Sequence, residues 1–209
     1  MTTLKFITTF LLIALYSCGQ KKSYSKVDVN VARLSNKIIP LTNYIDNPDS
    51  CKKALSFLDS ATTIDTNCFL CYYNKLMFLY SLKQYDKAAL TINNCIRIKP
   101  LAHDLFLTGG ILYEKIGDTV SSRKYFQKSL TLCNKALDTM NAGNRDYEMF
   151  VTNKAVNLIM LDKQAEAKEI LKTLYERQTD QEFKKMTLEL MNKTKKELVV
   201  SMTSDQYSR

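Results

Sequence analysis

Stacked on itself with a step of 34 residues, the chain brings small and apolar positions into register: Ala54, Ala88 and Ser122; Leu58, Ile92 and Phe126; Ala61, Cys95 and Ser129; Ile64, Ile98 and Leu132. The series resumes at Ala167, Leu171 and Leu174, each 45 residues beyond its predecessor, so 11 residues are inserted between the third unit and the fourth. A fixed period of this length marks one supersecondary unit repeated along the chain. Spacings of three and four between the apolar positions are those of a helix face. Five glycines and three prolines supply few turns for a β-rich fold. The pattern therefore predicts an all-α chain of helical hairpins.

The period and residue types resemble the tetratricopeptide repeat. Residues 69–102 carry Tyr72 in the large aromatic slot of the first helix, Tyr85 and Ala88 at the start of the second, and Pro100 at the end. Residues 103–136 carry Phe106, Gly110, Tyr113, Gly117 and Phe126 in the corresponding slots. Departures are Lys75, Leu76 and Lys83, where the repeat prefers Leu, Gly and Gly, and Ser122, where it prefers Ala. The resemblance implies a right-handed superhelical array of about four hairpins plus a C-terminal capping helix. Such helices approach closely only where a small residue leaves a hole for a neighbour's large one, and no hairpin buries its apolar face alone.

The resemblance also implies a concave groove lined by the first helices of successive units. Its slots are Leu70, Tyr73, Met77 and Tyr80; then Leu107, Ile111, Glu114 and Lys115; then Met149, Thr152, Val156 and Ile159. A mostly apolar groove suits an extended peptide or an amphipathic helix. A C-terminal helix folded over these residues would instead make them core. The stretch 181–202 predicts one capping helix with Phe183, Met186, Leu190, Thr194 and Leu198 on one face. In the first unit, Pro40 weakens the opening helix, while Asp49 or Ser50 is the expected cap of the second. Between units three and four, Asn141, Gly143 and Asn144 supply a turn. Both flanking helices are expected to lengthen into a projecting hairpin.

At the N-terminus, Lys5 precedes an apolar run from Phe6 to Tyr16, too short for the ~20 residues of a membrane-spanning helix and in keeping with a secretory signal. Leu15-Tyr16-Ser17-Cys18 resembles the lipobox of bacterial lipoproteins. That resemblance implies cleavage before Cys18 and lipid on its thiol. The expected organisation is a signal peptide at 1–17, a lipidated flexible linker at 18–31 and a helical domain at 32–209. Surface-exported lipoproteins often carry acidic residues just after the cysteine. Gly19-Gln20-Lys21-Lys22-Ser23 has none, which points to the outer membrane with the chain facing the periplasm.

The chain carries a net charge of +9, and +8 once residues 1–17 are removed. Lysines alternate with acidic residues apart from a modest cluster at Lys184, Lys185, Lys193, Lys195 and Lys196, which is not the footprint of a nucleic-acid module. Cys68 and Cys71 form a CxxC at a helix start, a place that favours the thiolate. No βαβ context accompanies it, so a structural disulfide is expected, within this pair or between Cys71 and Cys95. Cys51 and Cys133 read as small buried residues. One histidine, His103, reads as a cap or surface residue, and neither a metal nor a cofactor is expected. With no nucleophile elbow and no phosphate loop, the sequence points away from an enzyme. It points to a membrane-anchored protein-binding scaffold or assembly factor in the bacterial envelope. A thiol-disulfide protein using Cys68 and Cys71, or an immunity or structural lipoprotein, is the alternative.

Overall fold

The computed structural model describes residues 28–144 and 146–203. They form ten α-helices and one 3-10 helix, with no strand, and divide into two compact units after Ile98. The first unit holds α1 (Val29–Ile38), the 3-10 helix Ile39–Tyr44, α2 (Pro48–Ile64), α3 (Phe69–Ser81) and α4 (Tyr85–Ile98). The second holds α5 (His103–Lys115), α6 (Thr119–Leu137), α7 (Tyr147–Met160), α8 (Gln164–Arg177), α9 (Gln181–Asn192) and α10 (Lys195–Thr203). Within each unit the α-helices pack on their sequence neighbours, except α10, which returns to pack on α5. The result is a run of helical hairpins consistent with a tetratricopeptide fold. The expected signal peptide, Cys18 and most of the expected linker lie outside the described residues.

Several expected boundaries move. The linker does not extend to residue 31: α1 starts at Val29, Asp28 Oδ1 accepts from Asn30 N–H at 2.7 Å, and Val31 is already core. Asn47, not Asp49 or Ser50, caps α2, its Oδ1 accepting from the amides of both. Pro48 follows at the first helical position, where a missing N–H costs no helix bond. Pro40 occupies the same kind of position at the start of the 3-10 helix, which is why the opening helix ends at Ile38.

The insertion lengthens only one helix. α6 has 19 residues against 14 in α4 and α8, whereas α7 has 14. The remaining residues form a turn in which Asn141 Oδ1 accepts from Gly143 N–H at 3.0 Å and Asn144 Oδ1 from Asp146 N–H at 2.8 Å. A short polar side chain that holds its own following amides competes with helix, so the expected projecting hairpin is replaced by a looped turn. The C-terminal stretch is likewise two helices rather than one. Thr194 Oγ1 accepts from Glu197 N–H, and Glu197 Oε2 accepts from Thr194 N–H, a reciprocal capping box that starts α10 afresh.

The repeat register survives in the backbone. Lys83, Gly117 and Asp162, one in each of the α3–α4, α5–α6 and α7–α8 hairpins, all take left-handed conformations (φ 55°, 84° and 63°) at the turn between paired helices. The departures from the repeat are also accounted for. Lys75 lays its stem against the protein and pairs with Asp59 at 2.5 Å. Ser122 is buried and donates its hydroxyl to Glu114 Oε2. Leu76, in the glycine slot, is answered by Ile92 where the next unit has Phe126, and the fourth unit has Ala155 with Leu171. All six positions are buried, and from Gly110–Phe126 to Ala155–Leu171 the large partner shrinks as the small one grows.

At the tightest of these sites, a Cβ on Gly110 would lie 2.5–2.8 Å from three carbons of the Phe126 ring. Gly110→Ala should therefore destabilise the chain by about 1–2 kcal/mol, the cost of overpacking less the gain in helix propensity. Gly110→Ala/Phe126→Leu, which copies the Ala155/Leu171 solution, should recover most of that loss in urea unfolding.

Candidate functional site

The expected groove is not one continuous surface. On α3, Leu70 is 53% exposed, while Tyr73, Met77 and Tyr80 are half-buried. Tyr73 stacks on Phe69 with centroids 5.5 Å apart, Tyr80 meets Tyr85 edge-on at 6.0 Å, and Met77 rests against the core of the first unit. α3 thus presents an aromatic and aliphatic strip of which Leu70 is the most exposed residue among the four slots.

In the second unit the expectation fails. Leu107, Ile111, Val156 and Ile159 are core, in one cluster with Leu190 of α9 and with Leu198 and Val199 of α10. Thr152 is buried and donates its hydroxyl to Glu148 O. Glu114 accepts from Ser122 through Oε2 and pairs with Lys195 at 3.1 Å through Oε1. Met149 is half-buried and Lys115 exposed. The physical reason is α10: its apolar residues cover α5, and Lys195 supplies the countercharge for Glu114. The reading in which a C-terminal helix makes these slots core describes this unit.

Cys68 and Cys71 are bonded to each other, with Cα atoms 5.3 Å apart. Cys95, Cys51 and Cys133 are buried and outside any disulfide, so the Cys71–Cys95 alternative is not the one formed. Cys68 stands at the N-cap of α3, and Cys71, fully buried, lies 3.8 Å from Ser35 Oγ. Burial pushes the Cys51 thiol above its ordinary value and Cys133 up to about 12, which leaves both protonated and unreactive at neutral pH. In denaturant without reductant, a chain lacking residues 1–18 should titrate as three thiols, and as five after reduction; five in both would contradict the bond.

His103 is neither a surface residue nor a cap. It opens α5 at 6% exposure, stacked on Phe150 with centroids 4.1 Å apart. Asn153 Nδ2 donates to its Nε2 at 3.0 Å, which makes the ring neutral. Asn157 Nδ2 donates to Asn153 O and Ser129 Oγ, and Ser129 Oγ donates to His103 O at 2.8 Å. Sequence reasoning missed this buried polar chain, because Asn153 and Asn157 four residues apart read equally well as a solvated helix face.

Burial lowers the His103 pKa from 6.5, outweighing the opposite pull of Asp104. The unfolded chain therefore takes up a proton first. The associated stability is complete above about pH 6.5 and is lost as pH falls below it, at up to about 1.4 kcal/mol per pH unit. Comparing unfolding at pH 7.5 and 5.5 should show a larger drop in the parent chain than in His103→Gln.

Among the described residues, no group of three or more His, Cys, Asp or Glu side chains is placed to hold a metal ion. No helix among them is long and apolar enough to cross a membrane. No protein-family profile matches the chain, and no curated protein sequence matches it. Among solved structures, YrrB, a tetratricopeptide protein described as having an unusual peptide-binding site, superposes with a TM-score of 0.47 at 17% identity. The match covers 87% of this chain and 93% of that one.

Proposed function

We propose that the chain is a lipid-anchored, non-enzymatic scaffold or assembly factor of the bacterial cell envelope, facing the periplasm from the outer membrane, that holds a protein partner on α3. The observation that carries the reading is the α3 strip: Leu70 stands more than half exposed beside the stacked Phe69–Tyr73 pair, with Met77 and Tyr80 further along. Aliphatic and aromatic side chains left together on a helix face suit the apolar side of an amphipathic partner helix. The lipobox-like Leu15-Tyr16-Ser17-Cys18 supports the anchor, since acyl chains on Cys18 contribute ~0.8 kcal/mol per buried CH₂. The CxxC favours a second reading, a thiol-disulfide protein. Burial of Cys71 argues against it, and an inert pair in an insulin-reduction assay would remove it.

Capture of envelope proteins by the purified chain should be lost in Leu70→Asp and Tyr73→Asp while the unfolding midpoint stays within a few degrees of the parent. Ile111→Asp should instead unfold the second unit, because it buries a charge. Capture that persists in both α3 variants would end the assignment of this face. Metabolic labelling with a palmitate analogue should mark the parent chain and not Cys18→Ala.

A further inference from the structure

We propose that the outward face of α6, closed at one side by the start of α10, is a binding site for a phosphate-bearing ligand. A concavity of about 740 Å³ opens there, and its wall brings together Arg123, Lys124 and Lys128 of α6 with Lys195 of α10. This volume falls in the range of small-molecule sites, about 300–1,000 Å³. Thr119 and Gln127 stand in the same helical row as Arg123, four residues to either side, so hydroxyl, guanidinium and amide alternate beside a row of two ammonium groups.

Charge sets this face apart. α6 contains Arg123, Lys124, Lys128 and Lys135 and no Asp or Glu over its 19 residues. In α8, by contrast, Lys168, Lys172 and Arg177 alternate with Glu166, Glu169 and Glu176. No carboxylate lines the concavity. Three anions lie near its cations: Asp162, 3.8 Å from Arg123 in a pair of largely exposed side chains; Glu114, which holds Lys195 at 3.1 Å; and Asp118 at the N-cap of α6, whose charge Lys124 favours. Lys124 and Lys128, four residues apart, repel one another on the helix. An anion between them removes that repulsion.

The composition selects the kind of anion. A lone carboxylate would be matched by one guanidinium fork, whereas a guanidinium with several ammonium point charges suits a group with many oxygens and more than one negative charge. That is the chemistry of a phosphate ester or diphosphate, free or on a lipid headgroup.

The test uses the full chain in detergent, titrated with inorganic pyrophosphate, and separately with phosphatidylglycerol or phosphatidylcholine vesicles. Arg123→Gln/Lys128→Gln is compared with Lys53→Gln/Lys87→Gln, which removes the same charge from exposed positions of the first unit. Saturable pyrophosphate binding, weakened at least tenfold in the α6 variant and unchanged in the control, is the expected result and identifies a soluble ligand. The same dependence with phosphatidylglycerol vesicles alone supports the site with a lipid source. Equal weakening in both variants, or binding to neither probe, overturns the proposal, as does an α6-dependent response only to an acidic peptide.

Discussion

The close approach of α5 and α6 at Gly110 is the constraint from which the rest of the second unit follows. The Phe126 ring fills the space that any side chain on Gly110 would need, so the separation of the two helices is fixed by this pair. Phe126 is fully buried and belongs to the same cluster as Leu107, Ile111, Ala155 and Leu171. Removing a ring from such a position typically costs 3–5 kcal/mol, a large share of the stability of any domain this size. The other hairpins keep the requirement and change the residues. Ala155 with Leu171 fills the same two slots small against large, and Leu76 with Ile92 fills them with two aliphatic side chains of equal size. What repeats is a pair of buried facing slots, not an amino acid at either.

Most buried polar groups on this scaffold find a partner, Asn134 Oδ1 and Asn157 Oδ1 being the exceptions among the described residues. Ser122 replaces the alanine of the repeat in a fully packed position, and Glu114, near the end of the preceding helix, accepts its hydroxyl hydrogen bond. Glu114 is itself shielded, and a carboxylate taken out of water requires a countercharge. Lys195 supplies it. A single serine is thereby linked through one carboxylate to the first residue of α10, whose apolar residues then lie against α5. Closure of the second unit's face is a consequence of polar satisfaction as well as of hydrophobic burial.

Much of the fold was legible because sterics write themselves into composition at fixed spacing. Small residues every 34 positions, with large ones four residues later, can be read without coordinates, and the hairpins follow. The candidate site was less legible for an equally physical reason. Leu107, Ile111, Val156 and Ile159 are the residue types a helix presents to a guest, and also the types it presents to its own chain. The apolar stripe of 181–202 showed that this stretch must pack but not on what. One local signal was available: Thr194-Lys195-Lys196-Glu197 has the form of a capping box, which places a helix start where a continuous helix was read. Asn47-Pro48 similarly marks the start of α2 better than Asp49 or Ser50. His103 was misplaced because its burial depends on Asn153, 50 residues away, and pairings at that distance leave no local pattern.

Repeat-equivalent positions in the two units therefore have different fates, and the difference lies in what the chain itself provides. Tyr73 and Leu107 occupy the same slot, as do Met77 and Ile111, and Tyr80 and Glu114. In the second unit the third slot is a carboxylate, which recruits a lysine and with it a covering helix. In the first unit it is a tyrosine, which makes an edge-on contact with Tyr85 and carries no charge to be neutralised. An aromatic strip tolerates partial exposure, because rings have amphipathic edges and hydroxyls that remain in water, whereas the aliphatic set Leu107, Ile111, Val156 and Ile159 has no such alternative. Among the described residues, the face that could not stay open is covered by α10, and the aromatic one is half-buried.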